Sequence, residues 1–229
     1  MPTIHDDEFG EITIRRSMRA SSIRISIGAD GQLRVSMPTY APMFVVKRLI
    51  KSSRHDLRKM LENHTPTYEL VDGMEIGKSH KLIVVGGQKT AVRRQGQRII
   101  VTLASGDSLS NPATERMVRN IIVAALRIEA KSYLPKRLAY LAKKLGYHYE
   151  KARFSHAGGR WGSCSSTGTI SLNIALMKLP FELIDYVIIH ELCHTKQMNH
   201  SPQFWTLVEA ADPDYKQHRK ELKKHTPII

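Results

Sequence analysis

Apolar and polar residues alternate through much of the first hundred positions. Ile23, Ile25 and Ile27 alternate with Arg24, Ser26 and Gly28, and Leu33, Val35 and Met37 alternate with Arg34 and Ser36. A period of two puts each apolar set on one face of a strand, and Asp30-Gly31 between them suits a type I′ turn, so the stretch predicts a hairpin. Phe9, Ile12 and Ile14 predict a strand before it. From Pro42 the period changes. Val46, Leu49, Ile50, Ser53, Leu57, Met60 and Leu61 recur three and four apart, which predicts one long helix closed by Asn63 and Pro66. Short strands are then expected at 68–71, 81–85, 90–94 and 98–103, separated by Asp72-Gly73, Gly86-Gly87 and Gly96. Gly86-Gly87 reads as a turn, since no dinucleotide or phosphate-loop spacing surrounds it.

A run rich in Ser, Gly, Asp and Asn at 104–112 marks a boundary, after which Asn111 can cap a helix with Pro112 in its first position. Val118, Ile121, Ile122, Ala125 and Ile128 form its apolar face, and Arg116, Arg119, Asn120, Arg127 and Lys131 fall opposite. Pro135 is expected to kink or break this helix, with a second stretch ending at Gly146. Strands are expected at 147–154 and 169–176, then an apolar helix at 181–196, a helix from Ser201-Pro202, and a last basic helix at 214–224. No internal repeat is visible. The pattern predicts an α+β fold: a β-rich N-terminal part with one long helix, 1–105, and a mixed domain, 106–229.

Composition narrows the class. With 41% hydrophobic and 24% charged residues over 229 positions, the chain can bury a real core and is not a disordered one. Its two cysteines, Cys164 and Cys193, have neither a disulfide scaffold's number nor a thiolate zinc cluster's spacing. The acidic start has no apolar run behind it, and apolar stretches such as 121–126 are far too short to cross a bilayer, so a soluble, cytoplasmic protein is expected. Net charge is +14, and it is local: residues 111–160 carry 11 basic and 3 acidic groups, whereas 161–229 carry 7 of each. Arg116, Arg119, Arg127 and Lys131 are therefore the candidate surface for a weak polyanion or DNA contact.

His190-Glu191-Leu192-Cys193-His194 carries the chemistry. Helical positions four apart share a face with Cβ atoms about 5–6 Å apart. That separation lets two imidazoles converge on one ion at roughly 2.0–2.1 Å. Glu191 projects to the side, where it can serve a metal-bound water as base without being a ligand. The preceding run 184–189 is apolar nearly all round, and two histidines and a glutamate in such a buried helix are costly unless something satisfies them. His200 follows six residues after His194, past a turn marked by Asn199 and before the Ser201-Pro202 helix start, so the chain can return a third nitrogen. Three protein ligands leave a fourth position open, as catalytic zinc requires. Spacing of four then six matches the long zincin signature, except that Gln197 stands where that signature has Gly, so the turn must be built differently.

Together with Asn199 to Trp205, the box Arg160-Trp161-Gly162-Ser163-Cys164-Ser165 and Ser171-Leu172-Asn173, these residues closely resemble the YgjP-like family of predicted metal-dependent hydrolases. That family is related to the SprT and WLM zinc metallopeptidases. The resemblance runs from about Ile12 to the final helix. It implies a zincin-like catalytic domain, Zn2+ on His190, His194 and His200, and Glu191 as general base. By the same resemblance, the strand at 171–176 is the candidate to pair with an extended peptide or protein substrate. The segment 155–159 lacks a basic residue expected by comparison with the family.

In the box, Trp161 suits packing against the metal helix and Gly162 allows close backbone approach. Arg160 is a candidate catalytic residue, either holding an anionic substrate group or stabilising oxyanion charge. Asn173 can alternatively orient a ligand histidine. Cys193 reads as a small buried hydrophobe or, less simply, as a thiolate ligand, and His218 is retained as a transition-state donor. The expected function is a zinc-dependent hydrolase, a metallopeptidase first. Two alternatives stay open: a metal-dependent nucleotide or phosphoanhydride hydrolase, motivated by the basic segment, and a non-catalytic, zinc-stabilised nucleic-acid-binding protein.

Overall fold

The computed structural model describes residues 2–18, 20–28, 32–62, 70–156 and 159–229. Asp30-Gly31, Asn63, Pro66, the start of the strand expected at 68–71, and Ala157 and Gly158 lie outside the described residues. The chain divides into two compact units, 1–69 and 70–229.

The first unit carries strands β1 (Thr3–Asp6), β2 (Gly10–Ser17), β3 (Arg24–Ile27) and β4 (Leu33–Pro38), then helices α1 (Met43–Ser52) and α2 (Arg54–Glu62). The sheet order is β1-β2-β4-β3. The alternating residues do face one core: Ile12, Ile14, Leu33, Val35 and Met37 are buried with Val46 and Ile50 of α1 and Leu57 of α2. The one long helix expected here is two. Ser53 leaves helical geometry at φ −106°, ψ 17°, and the Ser52 hydroxyl bonds the Leu49 carbonyl, a local competitor for the helix ladder.

The second unit opens with β5 (Glu75–Ile76), β6 (His80–Gly86), β7 (Ala91–Gln95) and β8 (Arg98–Leu103), in the order β5-β6-β8-β7. Leu70 and Val71 lie outside any strand. Helix α3 (Pro112–Leu145) follows, capped by the Asn111 side chain on Ala113 N–H and ended by Gly146 at φ 67°. It runs unbroken through Pro135. One backbone donor is lost there, while buried Leu134, Leu138 and Leu141 keep the apolar face continuous across the proline. Ile128, assigned to that face from spacing, is instead 47% exposed. The boundary expected after residue 105 falls inside this unit, because the β5–β8 sheet is bound to α3. Buried Glu129 accepts hydrogen bonds from the backbone N–H groups of Lys78 (2.7 Å) and Ser79 (2.9 Å) and from the Ser79 hydroxyl (2.7 Å), and pairs with His80 Nδ1 (2.6 Å).

A three-stranded sheet, β9 (Lys151–Ser155), β10 (Gly162–Cys164) and β11 (Thr169–Asn173), has the order β10-β11-β9. The strand at 169–173 is thus central, antiparallel to β10 and parallel to β9, and both its edges are filled. It cannot be the edge that pairs with substrate; β10 occupies an edge instead. After a 3-10 helix (Ile174–Lys178) come α4 (Phe181–Cys193), α5 (Pro202–Ala211) and α6 (Tyr215–Leu222). The fold is α+β with a β-rich N-terminal part, and no helix among the described residues is long and apolar enough to cross a membrane.

One correction concerns the whole chain. The first two sheets share one topology: an antiparallel hairpin, a parallel central pair and an antiparallel return strand. Register makes the match residue by residue, with Ile14 beside Val35 in one and Val84 beside Val101 in the other. A repeat invisible in the sequence is therefore present in the topology.

Candidate metal centre

Helix α4 is apolar almost throughout, and Leu183, Ile184, Val187, Ile188 and Leu192 are buried. That burial carries His190 and Glu191 inward at its C-terminal end. His194 is the C-cap residue, its N–H bonded to the His190 carbonyl. The chain then turns, and His200 precedes the Ser201 N-cap, whose side chain accepts from Phe204 N–H. The turn is built by Gln197, as the missing glycine required. Its carbonyl accepts from His194 Nδ1 (3.1 Å), and its side-chain amide donates to Asn199 Oδ1 (2.7 Å) and Ser201 Oγ (3.1 Å).

This arrangement brings the three histidines together. His190 Nε2 lies 3.2 Å from both His194 Nε2 and His200 Nε2. Since Nδ1 of His194 carries its proton toward the Gln197 carbonyl, its Nε2 presents a lone pair to the cluster. Burial pushes His190 down to about 3, and also lowers His194, so both rings are neutral near pH 7. Lone pairs at this separation repel unless a cation lies among them. Tetrahedral zinc with nitrogens at roughly 2.0–2.1 Å would space them about 3.3 Å apart. The donor set therefore fits a metal ion.

Phe204, fully buried, lies under all three rings, with centroids 4.5 Å from His194, 4.9 Å from His200 and 5.0 Å from His190. The exposed His200 ring stacks on Trp205 (5.7 Å), which in turn stacks on Tyr215 (5.6 Å) and carries the Arg219 guanidinium above it (4.5 Å). This aromatic floor excludes water from one side of the cluster and orients ligand rings that lack hydrogen-bonded supports. Spacing alone offered no sign of it beyond the apolar residues of α5.

Glu191 is buried beside the histidines, and its Oε2 has no hydrogen-bond partner among the described residues. Burial raises its carboxyl to about 8, against a lowering by the charge of Arg160. Arg160 is exposed, and acts on Glu191 through charge rather than contact. A cleft of about 250 Å3 joins these groups, lined by Gly162, Ser163, Cys164, Met198, Glu191 and the three histidines.

Other sequence candidates stand elsewhere. Asn173 does not orient a histidine: its amide donates to the Arg160 carbonyl (2.9 Å), and its oxygen accepts from Ala175 N–H (3.0 Å). Cys193 is fully buried, its thiol 3.4 Å from the Tyr147 hydroxyl, and both cysteines are free. His218 is engaged with Asp212 (2.8 Å) and is absent from the cleft lining. Of the basic stripe on α3, Arg116, Arg127 and Lys131 are exposed, but Arg119 is held by Glu115 (2.6 Å) and largely covered. A larger hollow of about 390 Å3, bordered by Lys78, Arg94, Tyr133 and Phe181, shares no residue with the cleft. Its acid, Glu129, is consumed by the bonds to residues 78–80.

The fold thus brings a three-imidazole cluster together beside a buried carboxyl. The family described as YgjP-like, metallopeptidase domain, matches residues 21–225, and the chain belongs to that family. Metallopeptidase hydrolysis of peptides or proteins is accordingly its activity class. Among solved structures, the metallopeptidase zymogen abylysin of Pyrococcus abyssi is 30% identical, with 39% of this chain and 92% of that chain covered at a TM-score of 0.36. The zymogen jannalysin of Methanocaldococcus jannaschii is 20% identical, with 39% and 93% covered at 0.35. No curated protein matches the chain.

Proposed function

We propose that the protein is a zinc-dependent, zincin-like metallopeptidase in which His190, His194 and His200 hold the ion and Glu191 is the general base. The observation that carries this reading is the convergence of three imidazoles, with His190 Nε2 at 3.2 Å from Nε2 of both His194 and His200, next to a buried carboxyl with an oxygen unpartnered among the described residues. When bound, zinc supplies a Lewis acid that polarises the scissile carbonyl and brings the pKa of water toward neutrality. The remaining work falls to the chain. A cation among the imidazoles favours the ionised form of Glu191, reversing the effect of burial. Glu191 then takes a proton from the attacking water on its carboxylate and returns it to the leaving amine. Arg160, through its charge, helps keep that carboxyl ionised and attracts anionic substrate groups. The catalytic machinery belongs to residues 106–229, and within the same unit the β5–β8 sheet acts as a brace through Glu129.

The test combines metal analysis with one substitution. Glu191→Gln is expected to keep one zinc per chain and lose at least roughly 100-fold in turnover of unstructured peptides. Hydrolysis at the wild-type rate would remove Glu191 from the role. X-ray absorption should report three imidazole nitrogens and one oxygen; a sulfur shell at about 2.3 Å would make the zinc structural. Metal-dependent phosphate release from nucleoside triphosphates without peptide cleavage would favour the phosphoanhydride alternative.

The exposed Arg116, Arg127 and Lys131 support a weak accessory contact with polyanions. Reversing Arg116 and Lys131 should weaken duplex DNA binding at ~50 mM salt and flatten its salt dependence, whose slope is about 0.9 per phosphate neutralised. Unchanged binding would return the stripe to a solvated face.

A further inference from the structure

The hydrolytic reading makes Glu191 the base, but a long side chain at the end of a helix has several rotamers. Its carboxyl needs a wall. That wall is Gly162, the first residue of β10, in the cleft opposite the metal helix. A Cβ placed on Gly162 would lie 2.6 Å from Glu191 Oε1, 2.8 Å from its Cγ and 2.9 Å from its Cδ. All three are closer than real Cβ contacts, so the Glu191 side chain, which ends in this carboxyl, would have to shift. The backbone offers no other reason for glycine here, because Gly162 is not among the residues of positive φ. The missing side chain is a requirement of space, and what fills the space is Glu191. The strand carrying this wall is itself held: buried Asn173 donates from its amide to the Arg160 carbonyl (2.9 Å) and from its backbone N–H to the Trp161 carbonyl (2.8 Å), the two residues immediately before Gly162.

We propose that Gly162 is a positioning residue for the general base: the bare Cα at 162 sets where the Glu191 carboxyl rests, and Asn173 holds that Cα in place. This deepens, and rests on, the assignment of Glu191 as base. A carboxyl confined between a strand and a helix keeps Oε1 against Gly162, where both residues line the cleft, so it is held there without loss of rotamer freedom at each turnover.

Two measurements on the full chain test the proposal. The first needs no activity. In the metal-free protein, Gly162→Ala should lower the melting temperature by roughly 3–10 °C, since forcing a methyl group into an occupied site costs stability. In a Glu191→Ala background the same substitution should be neutral or slightly stabilising, because alanine is otherwise preferred to glycine in a strand. An equal loss in both backgrounds would show that the methyl group meets something other than Glu191, and would overturn the proposal.

The second uses the zinc-loaded enzyme and an unstructured peptide. Gly162→Ala should lower kcat roughly 10- to 100-fold, the cost of a displacement near 1 Å, while KM and zinc stoichiometry hold. In a Glu191→Asp background, where the side chain is one methylene shorter, Gly162→Ala should leave kcat unchanged or raise it. Multiplicative losses in the two backgrounds would overturn the positioning role. If Glu191→Gln proves fully active, the base assignment fails, whereas the stability cycle still decides whether Gly162 and Glu191 meet.

Discussion

The two four-stranded sheets have one topology and opposite ways of fastening it. In the first, the end of β1 and the turn after it supply the acids, and α2 supplies the bases. Arg54 of α2 pairs with Glu8 (2.8 Å) and Asp6 (3.2 Å), and Arg58 also pairs with Glu8, all at the partly exposed surface. In the second, the helix supplies the acid and the turn supplies donors. Glu129 of α3 is 7% exposed and takes four hydrogen bonds from residues 78–80. Gly77 makes room for it, being at φ 66° with no space for a Cβ beside the Glu129 carboxylate, whereas Gly10 in the first turn has open space around it. Burial is what separates the two. Surface ion pairs are screened and weak, but a buried carboxylate with a full set of donors becomes costly to disturb. The second sheet is fastened in this way to the helix that also packs against α4, which carries His190 and Glu191.

If the units are separate, the largest effects should sort by unit. Leu33→Ala and Ile99→Ala remove equivalent, fully packed side chains, and each should cost about 2–5 kcal/mol. Calorimetry with zinc release as a second probe should show Ile99→Ala lowering the release temperature and Leu33→Ala leaving it in place. Zinc release that shifts equally in both variants would break the comparison. Next in size is Glu129→Gln, which leaves backbone N–H groups and His80 with a poorer acceptor, and should cost roughly 1–3 kcal/mol near neutral pH. Burial alone would raise the Glu129 pKa, but the bonds from Lys78, His80 and Ser79 outweigh it and hold it below its ordinary 4.5. A depressed folded-state pKa means stability that is present above the unfolded value and lost as pH falls through the folded one. Urea titrations of both forms should therefore differ by a constant amount well above the ordinary 4.5 and converge as pH falls through the lower folded-state value. A gap that persists into acid would show that charge is not the fastening. Smallest is Arg54→Met. Its loss should be just detectable at low ionic strength and gone at about 1 M salt, where surface pairs are screened.

The three-histidine cluster was legible because the pattern behind it is short-ranged. Residue type and a spacing of four place two imidazoles on one helix face, whatever the helix packs against, and the Asn199 to Pro202 turn announces the return of His200. The hairpin of β3 and β4 and the strand β8 were legible for a similar reason, since alternation survives when one face is buried. Strands of two to four residues, β1, β5 and β10, carry too little alternation to be seen. Continuity of α3 through Pro135 was misjudged because local propensity cannot register the apolar contacts made on both sides of the proline.

By itself, the sequence determined the α+β class, the order of most elements, the three-histidine cluster with its carboxyl, and the family to which the chain belongs. The tertiary structure alone decided that β10 rather than 169–173 has an open edge, and that the two sheets share a plan. It also decided that the Gln197 carbonyl orients His194, and that Gly162 confronts Glu191 across 29 positions of chain. The physical reason is the range of the forces involved. Helix period, capping and ligand chemistry act within a few residues and leave their mark in spacing. Strand order, steric exclusion and the satisfaction of buried donors depend on which distant segments meet, and a spacing pattern carries no record of that.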